Sequence, residues 1–190
     1  GYTAVEMRGL PARTMAIADT STGEIRLLTS NGKIIDVPPA PLPPWSSAAD
    51  NGAVKIVWGK SIQDQGMPWE DYLASQMPAR DRLPPGFKTF DFFSESTGVA
   101  TSAKTLDTMT ASRISNPSQV FSTIKGYVDE AASFERSSVG LAEIKPANIS
   151  LRQLSIAVPA STTPSQWQQI QRAVEYGQSQ GVKVLVTGVR

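Results

Sequence analysis

The spacing of hydrophobic residues changes several times along the chain and predicts a protein of alternating helices and strands. After residue 53, apolar residues recur every three or four positions in three segments and form continuous or alternating runs in five others. The predicted helices begin at 68, 117 and 164. The predicted strands cover 87–93, 99–106, 139–144, 151–158 and 182–187. This order is typical of a mixed sheet flanked by helices, which places the chain in the α/β class.

Two of the predicted helices carry start signals, and the third has the clearest buried face. Pro68 and Pro164 stand at first helical positions, where proline is favoured, and Thr163 supplies an N-cap. Strands 87–93 and 99–106 are separated by a short turn, so we expect an antiparallel hairpin. In the helix that begins at 117, the residues expected in the core are Val120, Ile124, Val128, Ala131 and Phe134.

The first part of the chain predicts a separate β-rich segment. Short apolar runs flank the dipeptide Asn31-Gly32, which is a hairpin signal. Residues 38–44 contain five prolines, and such a segment forms neither a helix nor a central strand. We therefore divide the chain into a β-rich segment at 1–37 with a delivery role, a Pro-rich linker at 38–52 and a main domain at 53–190.

Composition narrows the chemistry without pointing to a nucleic acid. The 18 basic and 17 acidic residues leave a net charge of +1, whereas proteins that coat DNA are usually far more basic. The chain has no Cys and no His, which excludes thiolate nucleophiles, Cys- or His-based zinc sites and Ser-His-Asp catalysis. In an enzyme of this composition, a carboxylate-bound cation is the most direct way to make a nucleophile from water.

Four residues form the candidate site. Asp91 lies within an aromatic predicted strand, where an ionised carboxylate is costly to bury unpaired. Ser102 and Lys104 share one face of the next predicted strand, and the hairpin brings Lys104 towards Asp91. Glu70 lies in the first turn of the preceding predicted helix. Two carboxylates can hold a divalent cation. From spacing alone, a cross-strand ion pair and a carboxylate that favours a helix N-terminus are the simpler explanation.

Several other residues are weaker candidates with simple structural alternatives. Thr105 and Asp107 follow the lysine and are candidates to support the site or to contact phosphate, although turn and capping roles explain them as well. Single basic residues are more often only solvated than bound to phosphate, and this applies to Arg113, Lys125 and Arg152. We expect the core to include Trp69, Tyr127 and Trp167.

Four separated motifs resemble a known nuclease family. They lie at residues 57–72, 83–91, 100–107 and 167–187, in the order found in nuclease domains at the C-termini of contact-dependent growth inhibition proteins. The likeness extends from Val54 to the end of the chain. That family is similar to the restriction-endonuclease-like PD-(D/E)xK superfamily, and it implies the same fold here.

The resemblance also implies roles for the four candidate residues. It assigns Glu70 and Asp91 as metal ligands, Lys104 as the motif lysine and Ser102 as the residue two positions before it. Most of the superfamily has a carboxylate where this chain has Ser102, so the metal, Zn²⁺ or Mg²⁺, would have to rely on two carboxylates, water and a backbone carbonyl. The implied activity is metal-dependent cleavage of DNA, with tRNA as the alternative substrate.

The resemblance further implies a toxin with a cognate immunity protein. A candidate contact is the predicted pair of strands between Val139 and Val158, which would extend a sheet of the partner by β-augmentation. Such a toxin leaves its producer by secretion or cell-surface delivery, as bacteriocins also do, and acts in the cytoplasm of the target bacterium. The chain begins with Gly1 and has no recognisable signal peptide or apolar run long enough for a membrane span.

Two other function classes stay open from the sequence. One is a nuclease-fold module that binds DNA or protein without cutting, and the other is a passage or docking domain whose toxin activity lies elsewhere. The set of two carboxylates and a lysine argues against the first, and the Pro-rich linker limits the second to the start of the chain.

Overall fold

A computed structural model describes residues 41–190 and, before them, four strands of the N-terminal segment. These strands are β1 (Tyr2–Glu6), β2 (Met15–Asp19), β3 (Ile25–Leu28) and β4 (Ile34–Asp36), and they form an antiparallel sheet in chain order. Strands therefore occur in the segment that the sequence predicted to be β-rich. The hairpin signal at Asn31-Gly32 lies between β3 and β4 and outside the described residues.

The main sheet has five strands in the order β5-β11-β10-β7-β6. Strands β5, β11, β10 and β7 are parallel, and the edge strand β6 is antiparallel to β7. The mixed sheet predicted from the sequence is therefore present. Its strands are β5 (Ser47–Ala49), β6 (Phe92–Ser94), β7 (Val99–Thr105), β10 (Leu151–Pro159) and β11 (Val182–Val189).

Helices cover both faces of this sheet. Within residues 41–190 the α-helices are α1 (Asn51–Val54), α2 (Gly66–Ala74), α3 (Ala111–Ser115), α4 (Ser118–Ser133) and α5 (Pro164–Ser179), with short 3-10 helices at Ala79–Asp81 and Pro146–Asn148. A small separate hairpin consists of β8 (Ser137–Val139) and β9 (Ala142–Ile144). No helix in residues 41–190 combines the length and apolarity needed to cross a bilayer.

Alternating side chains of β10 divide the core into two layers. Leu154, Ile156 and Val158 pack with α4 and α5, whereas Ala157 packs on the opposite face with α1 and α2. The predicted stripe of α4 is buried, with Val120, Ile124, Val128, Ala131 and Phe134 all exposed by 3% or less. Trp69 and Trp167 are buried as expected, and Tyr127 packs partly buried against the core.

The helix start signals are also confirmed at α5. Thr163 is its N-cap and accepts a hydrogen bond from the Gln166 backbone N–H, while the Gln166 side chain accepts one from the Thr163 N–H. This reciprocal arrangement satisfies two backbone donors that the first turn of a helix leaves unpaired.

The segment expected to continue the linker belongs instead to the main fold. Ser47–Ala49 forms β5, which pairs in parallel with the end of β11. Leu42 packs against the core, and its side chain lies so close to Gly188 that a Cβ there would be 2.7 Å from it. Trp45 meets Trp167 edge to face with ring centroids 5.8 Å apart. The linker interpretation of 38–52 is therefore wrong from Leu42 onward, because these apolar side chains pack on the domain.

The predicted strand 87–93 is also too long. Only Phe92–Ser94 is a strand, because Thr89 adopts a positive φ of 71° and the Phe90 N–H donates to the Lys88 carbonyl, as in a γ-turn. The turn breaks the alternation, so Phe90 packs in the α4 layer and Phe92 in the α2 layer. Asp91 consequently does not share a strand face with Phe87 and Thr89, as it would in a regular strand over 87–93.

The two strands predicted between Val139 and Val158 do not pair with each other in the structure. Residues 139–144 form parts of both β8 and β9, which turn at Gly140 with a φ of 60° and pair with each other. Strand β10 lies in the centre of the main sheet between β7 and β11. The hairpin is therefore Ser137–Ile144 alone, because both edges of β10 are already paired.

Substitution of Leu42 tests whether the segment before β5 is part of the folded domain. We expect Leu42→Ala to lower the free energy of unfolding by about 1–2 kcal/mol, since apolar area is lost at a partly buried site. This corresponds to a fall in Tm of about 2–8 °C, measured by calorimetry of the full chain. Leu141→Ala is the matched control because Leu141 is fully exposed. Equal melting temperatures for both variants would restore the linker interpretation.

Candidate active site

The four predicted site residues come from three neighbouring elements at one edge of the sheet. Glu70 is on α2, Asp91 directly precedes β6, and Ser102 and Lys104 are on β7. Helix α2 is fixed by the residue before Glu70, because Trp69 is only 1% exposed and its indole N–H donates to the Ser155 carbonyl of β10. The position of Glu70 therefore follows from the packing of the α2 layer.

Asp91 is held by hydrogen bonds of both its backbone and its side chain. Its N–H donates to the Thr101 carbonyl at 2.9 Å, and its carbonyl accepts from the Leu83 N–H at 2.9 Å. Its Oδ2 accepts from the Ala103 N–H at 2.8 Å. The turn at Thr89 ends directly before this residue. The carboxylate is thus fixed against β7 although its own segment is not a regular strand.

The carboxyl groups of Glu70 and Asp91 lie within hydrogen-bonding reach of each other. The pKa of Asp91 is raised to about 7, mainly by burial and also by the hydrogen bond and negative charge of Glu70, against the opposing effects of the Ala103 N–H and Lys104. A half-buried carboxylate pair of this kind favours a proton or a cation between its members. The two residues that the resemblance implies as metal ligands therefore lie close together.

Lys104 lies near Asp91 but does not form the expected direct ion pair with it. Its positive charge lowers the pKa of Asp91. Its Nζ lies 3.9 Å from Oε2 of Glu130 and 5.2 Å from the centre of the Tyr127 ring, both on α4. The first distance exceeds that of a hydrogen bond. Helix α4 therefore determines where this ammonium lies, which spacing within the hairpin did not predict.

Ser102 lies two residues before Lys104 on the same face of β7 and is 2% exposed. Thr105 points to the opposite face, where its hydroxyl accepts a hydrogen bond from the Gln65 side chain at 2.9 Å. The Thr105 contact joins β7 to the segment before α2. Ser102 and Lys104 therefore lie on one face of β7, and Thr105 lies on the opposite face.

Asp107 lies beyond the end of β7 and is 4% exposed. Its Oδ1 accepts from the Met109 N–H, which is a local turn contact, while no hydrogen bond to Oδ2 is found within the described residues. Burial raises the pKa of this carboxyl group, and the Met109 N–H and Arg113 oppose the rise. No contact links Asp107 to the carboxylate pair within the described part of the chain.

The three other basic candidates all have partners within the fold. Arg113 donates to the Asp107 carbonyl. Lys125 pairs with Asp129 at 2.9 Å, four residues along α4. Arg152 donates to three carbonyls at the end of α4, namely those of Ala131, Ala132 and Phe134. Their structural roles support the simpler of the two interpretations given to each from the sequence.

Arg82 is the residue at this site that the sequence analysis missed. Its Nη2 donates to Glu70 at 3.1 Å and to Asp71 at 2.7 Å. Arg82 also forms an isolated antiparallel bridge with Phe92, directly beside Asp91. In the sequence it stood in an apparently featureless loop. The sequence signal that could have identified Arg82 is its position on the segment that connects Glu70 to Asp91.

The donor set fits a hard divalent cation with an incomplete protein shell. Glu70 and Asp91 supply carboxylate oxygens, which Mg²⁺ prefers and Zn²⁺ accepts. Within the described residues, no group of three or more His, Cys, Asp or Glu residues is close enough to hold a metal ion. A cation held by this pair would complete its coordination with water, a backbone carbonyl or substrate oxygens.

Comparison with known proteins identifies related sequences. A deoxyribonuclease CdiA of Yersinia pseudotuberculosis serotype O:3 is 47% identical over 138 residues, which are 73% of this chain and 13% of that protein. Deoxyribonuclease CdiA-o11 of Escherichia coli O157:H7 is 48% identical over 137 residues, which are 72% of this chain and 36% of that protein. The chain thus spans only a minor part of both curated relatives.

Comparison with solved structures supports the same relationship. The toxin in a CdiA-CT/CdiI toxin and immunity complex from Yersinia pseudotuberculosis superposes with a TM-score of 0.60 at 48% identity, covering 65% of this chain and all of that one. Residues 65–187 match the family described as the CDI toxin restriction endonuclease-like domain. This match covers the candidate site from before α2 into β11. The chain therefore belongs to the CDI toxin restriction endonuclease-like family.

Proposed function

We propose that this chain is an antibacterial toxin that hydrolyses phosphodiester bonds of DNA with the help of a divalent cation. The observation that carries the proposal is the convergence of the Glu70 and Asp91 carboxyl groups beside Lys104 at one edge of the sheet. Membership in the family and two relatives that are named deoxyribonucleases favour DNA over tRNA as the substrate.

In this proposal, Glu70 and Asp91 hold the cation and the Ala103 N–H keeps Asp91 in place. When bound, a divalent cation lowers the pKa of a coordinated water and polarises the phosphate. Lys104 stabilises negative charge that develops on the phosphate oxygens. Its Nζ is 3.9 Å from Glu130, so its N–H donors are not committed to that carboxylate. Ser102 adds at most a weak neutral oxygen.

The choice between Zn²⁺ and Mg²⁺ belongs to the proposal as well. Restriction-endonuclease-like nucleases use divalent metals in general. Two carboxylates without imidazole or thiolate suit Mg²⁺, which keeps several waters, and they are also acceptable to Zn²⁺. The metal supplied in the assay is therefore varied rather than assumed.

We further propose that the producer secretes or displays the toxin and that it acts in the cytoplasm of the target bacterium. In this division of labour, residues 1–37 assist delivery and the catalytic unit begins near residue 41. The packing of Leu42 and β5 on the main sheet supports a catalytic unit that begins near residue 41 rather than at residue 53. The β-rich N-terminal sheet has its own strand pairing, which suits a separate role.

We also propose a cognate immunity protein as a partner, since a relative has been solved as a toxin and immunity complex. The contact assigned here is the β8–β9 hairpin, whose turn residue Leu141 is fully exposed. The two strands form a sheet by themselves, so within the described residues the outer edge of each is free to extend a partner sheet.

Substitution of the carboxylates and the lysine tests the catalytic proposal. We expect Glu70→Gln, Asp91→Asn and Lys104→Ala to lower plasmid cleavage by about 10²–10⁴-fold, since each removes a ligand or a charge needed in the reaction. Initial rates are measured with EDTA, Mg²⁺, Mn²⁺ and Zn²⁺, and total tRNA is offered in parallel. EDTA is expected to abolish cleavage by the wild type.

The matched controls for these substitutions are Glu175→Gln on α5 and Asp64→Asn before α2, both at exposed residues. Their cleavage rates are expected to stay near that of the wild type. Wild-type rates for Asp91→Asn would overturn the site assignment. Cleavage of tRNA alone would retain the site and change the substrate. No cleavage of either substrate with any metal would leave a binding module.

The hairpin assignment makes a separate prediction. We expect Leu141→Asp to weaken binding of the cognate immunity protein by about tenfold or more, because it places a charge at an exposed apolar contact. DNA cleavage is expected to stay unchanged, because the hairpin lies outside the site. Calorimetric titration gives the affinity, and Leu185→Asp is a control at another exposed leucine. Equal affinity for the wild type and Leu141→Asp would refute this docking site.

A further inference from the structure

The charge balance at the proposed site requires more positive charge than Lys104 supplies. Glu70, Asp71 and Asp91 are acidic, and a DNA backbone brought against them adds further negative charge. Lys104 lies on the α4 side of this group, near Tyr127 and Glu130. A second cation on the α2 side would balance the remaining charge, and Arg82 occupies that position.

The hydrogen bonds of Arg82 leave most of its donors available. Both of its ion pairs use Nη2, which donates to Glu70 and to Asp71. Nε and Nη1, which together carry three N–H groups, make no hydrogen bond to a residue in the described part of the chain. The side chain is 35% exposed, so these donors can be reached from solvent. The guanidinium is therefore held in place through Nη2, while the N–H groups of Nε and Nη1 are left to bind a ligand.

The backbone of Arg82 is fixed to the same element that carries Asp91. Arg82 bridges to Phe92, and the N–H of the next residue, Leu83, donates to the Asp91 carbonyl at 2.9 Å. The anchored backbone and the contact with Glu70 place this cation beside one proposed metal ligand, on the segment that pairs with the strand directly after the other. An arginine that only stabilised a surface turn would not require this position.

We propose that Arg82 binds a phosphate of the DNA backbone next to the carboxylate pair, and so is a further substrate-binding residue of the site. This inference rests on the proposed function. The Nε and Nη1 N–H groups that the carboxylates leave free can each donate a charge-assisted hydrogen bond to a phosphate oxygen. Its contact with Glu70 keeps it at the site before substrate arrives, and phosphate engages the nitrogens that the carboxylates leave free.

The competing explanation is that Arg82 only ties the segment after α2 to the helix through Asp71. A partly exposed ion pair of this kind contributes little to stability. The two explanations differ for Asp71→Ala. That substitution removes the shorter ion pair and one negative charge, so a phosphate-binding Arg82 predicts DNA affinity equal to or greater than that of the wild type. A purely structural pair predicts that Asp71→Ala and Arg82→Ala behave alike.

The test measures binding of a short fluorescein-labelled DNA duplex by fluorescence anisotropy, with the full chain in EDTA so that no cleavage occurs. We expect Arg82→Ala to raise Kd about tenfold and Arg82→Lys to raise it less, because lysine retains the charge and loses the planar fork. The slope of log affinity against log salt is expected to fall by about 1 for Arg82→Ala. In cleavage assays with metal, KM is expected to rise in parallel.

Arg172→Ala is the matched control, because Arg172 stacks on Phe121 in the α4–α5 layer on the other face of the sheet. It removes the same charge, and its Kd is expected to stay within about twofold of the wild type. Melting temperatures establish that each variant is folded. If Arg82→Ala does not fold, the binding test uses Arg82→Lys in its place.

Wild-type Kd, salt slope and KM for the Arg82 variants would overturn the inference, as would equal weakening by Asp71→Ala. Those results leave the proposed function intact as long as the wild type cleaves DNA. If the wild type neither binds nor cleaves DNA, the proposed function itself fails.

Discussion

The contact between the carboxyl groups of Glu70 and Asp91 is the interaction on which the arrangement of this site depends. Two such groups repel when both are ionised, and the pKa of about 7 for Asp91 reflects burial and this neighbour. The fold holds them together because each is anchored by apolar packing or backbone hydrogen bonds. Trp69 fixes the helix that carries Glu70, and the Ala103 N–H fixes the Asp91 side chain.

The two layers of the core explain why the site lies at the β6–β7 edge. Helix α2 packs on one face of the sheet and contributes Glu70, while α4 packs on the other and positions Lys104 through Tyr127 and Glu130. The edge of the sheet is where groups from both layers can approach one phosphate. The site therefore needs both helix layers, although the sequence predicted a direct contact only within the hairpin of β6 and β7.

The sequence predicted the long elements well because their signals are periodic and local. The stripe of α4, the cap of α5 at Thr163 and the apolar strand β11 all lie where they were expected. The turn at Thr89 was missed because a positive φ at a threonine has no sequence signal. Strand β5 was missed because three residues after a proline run carry no period of their own.

The candidate residues of the site could be named from the sequence, whereas their contacts could not. The residue types and motif order indicated Glu70, Asp91 and Lys104, whereas the approach of Glu130 and Arg82 depends on how distant elements pack. Contacts of this range follow from tertiary structure rather than from spacing.

Native mass spectrometry of the full chain after loading with Zn²⁺ or Mg²⁺ measures whether the pair of Glu70 and Asp91 binds a metal ion. We expect one divalent cation per wild-type chain and its loss from both Glu70→Gln and Asp91→Asn, with each variant folded. A cation that remains bound to both variants, or DNA cleavage by a wild-type chain that binds none, would contradict the claim that this carboxylate pair is the metal site.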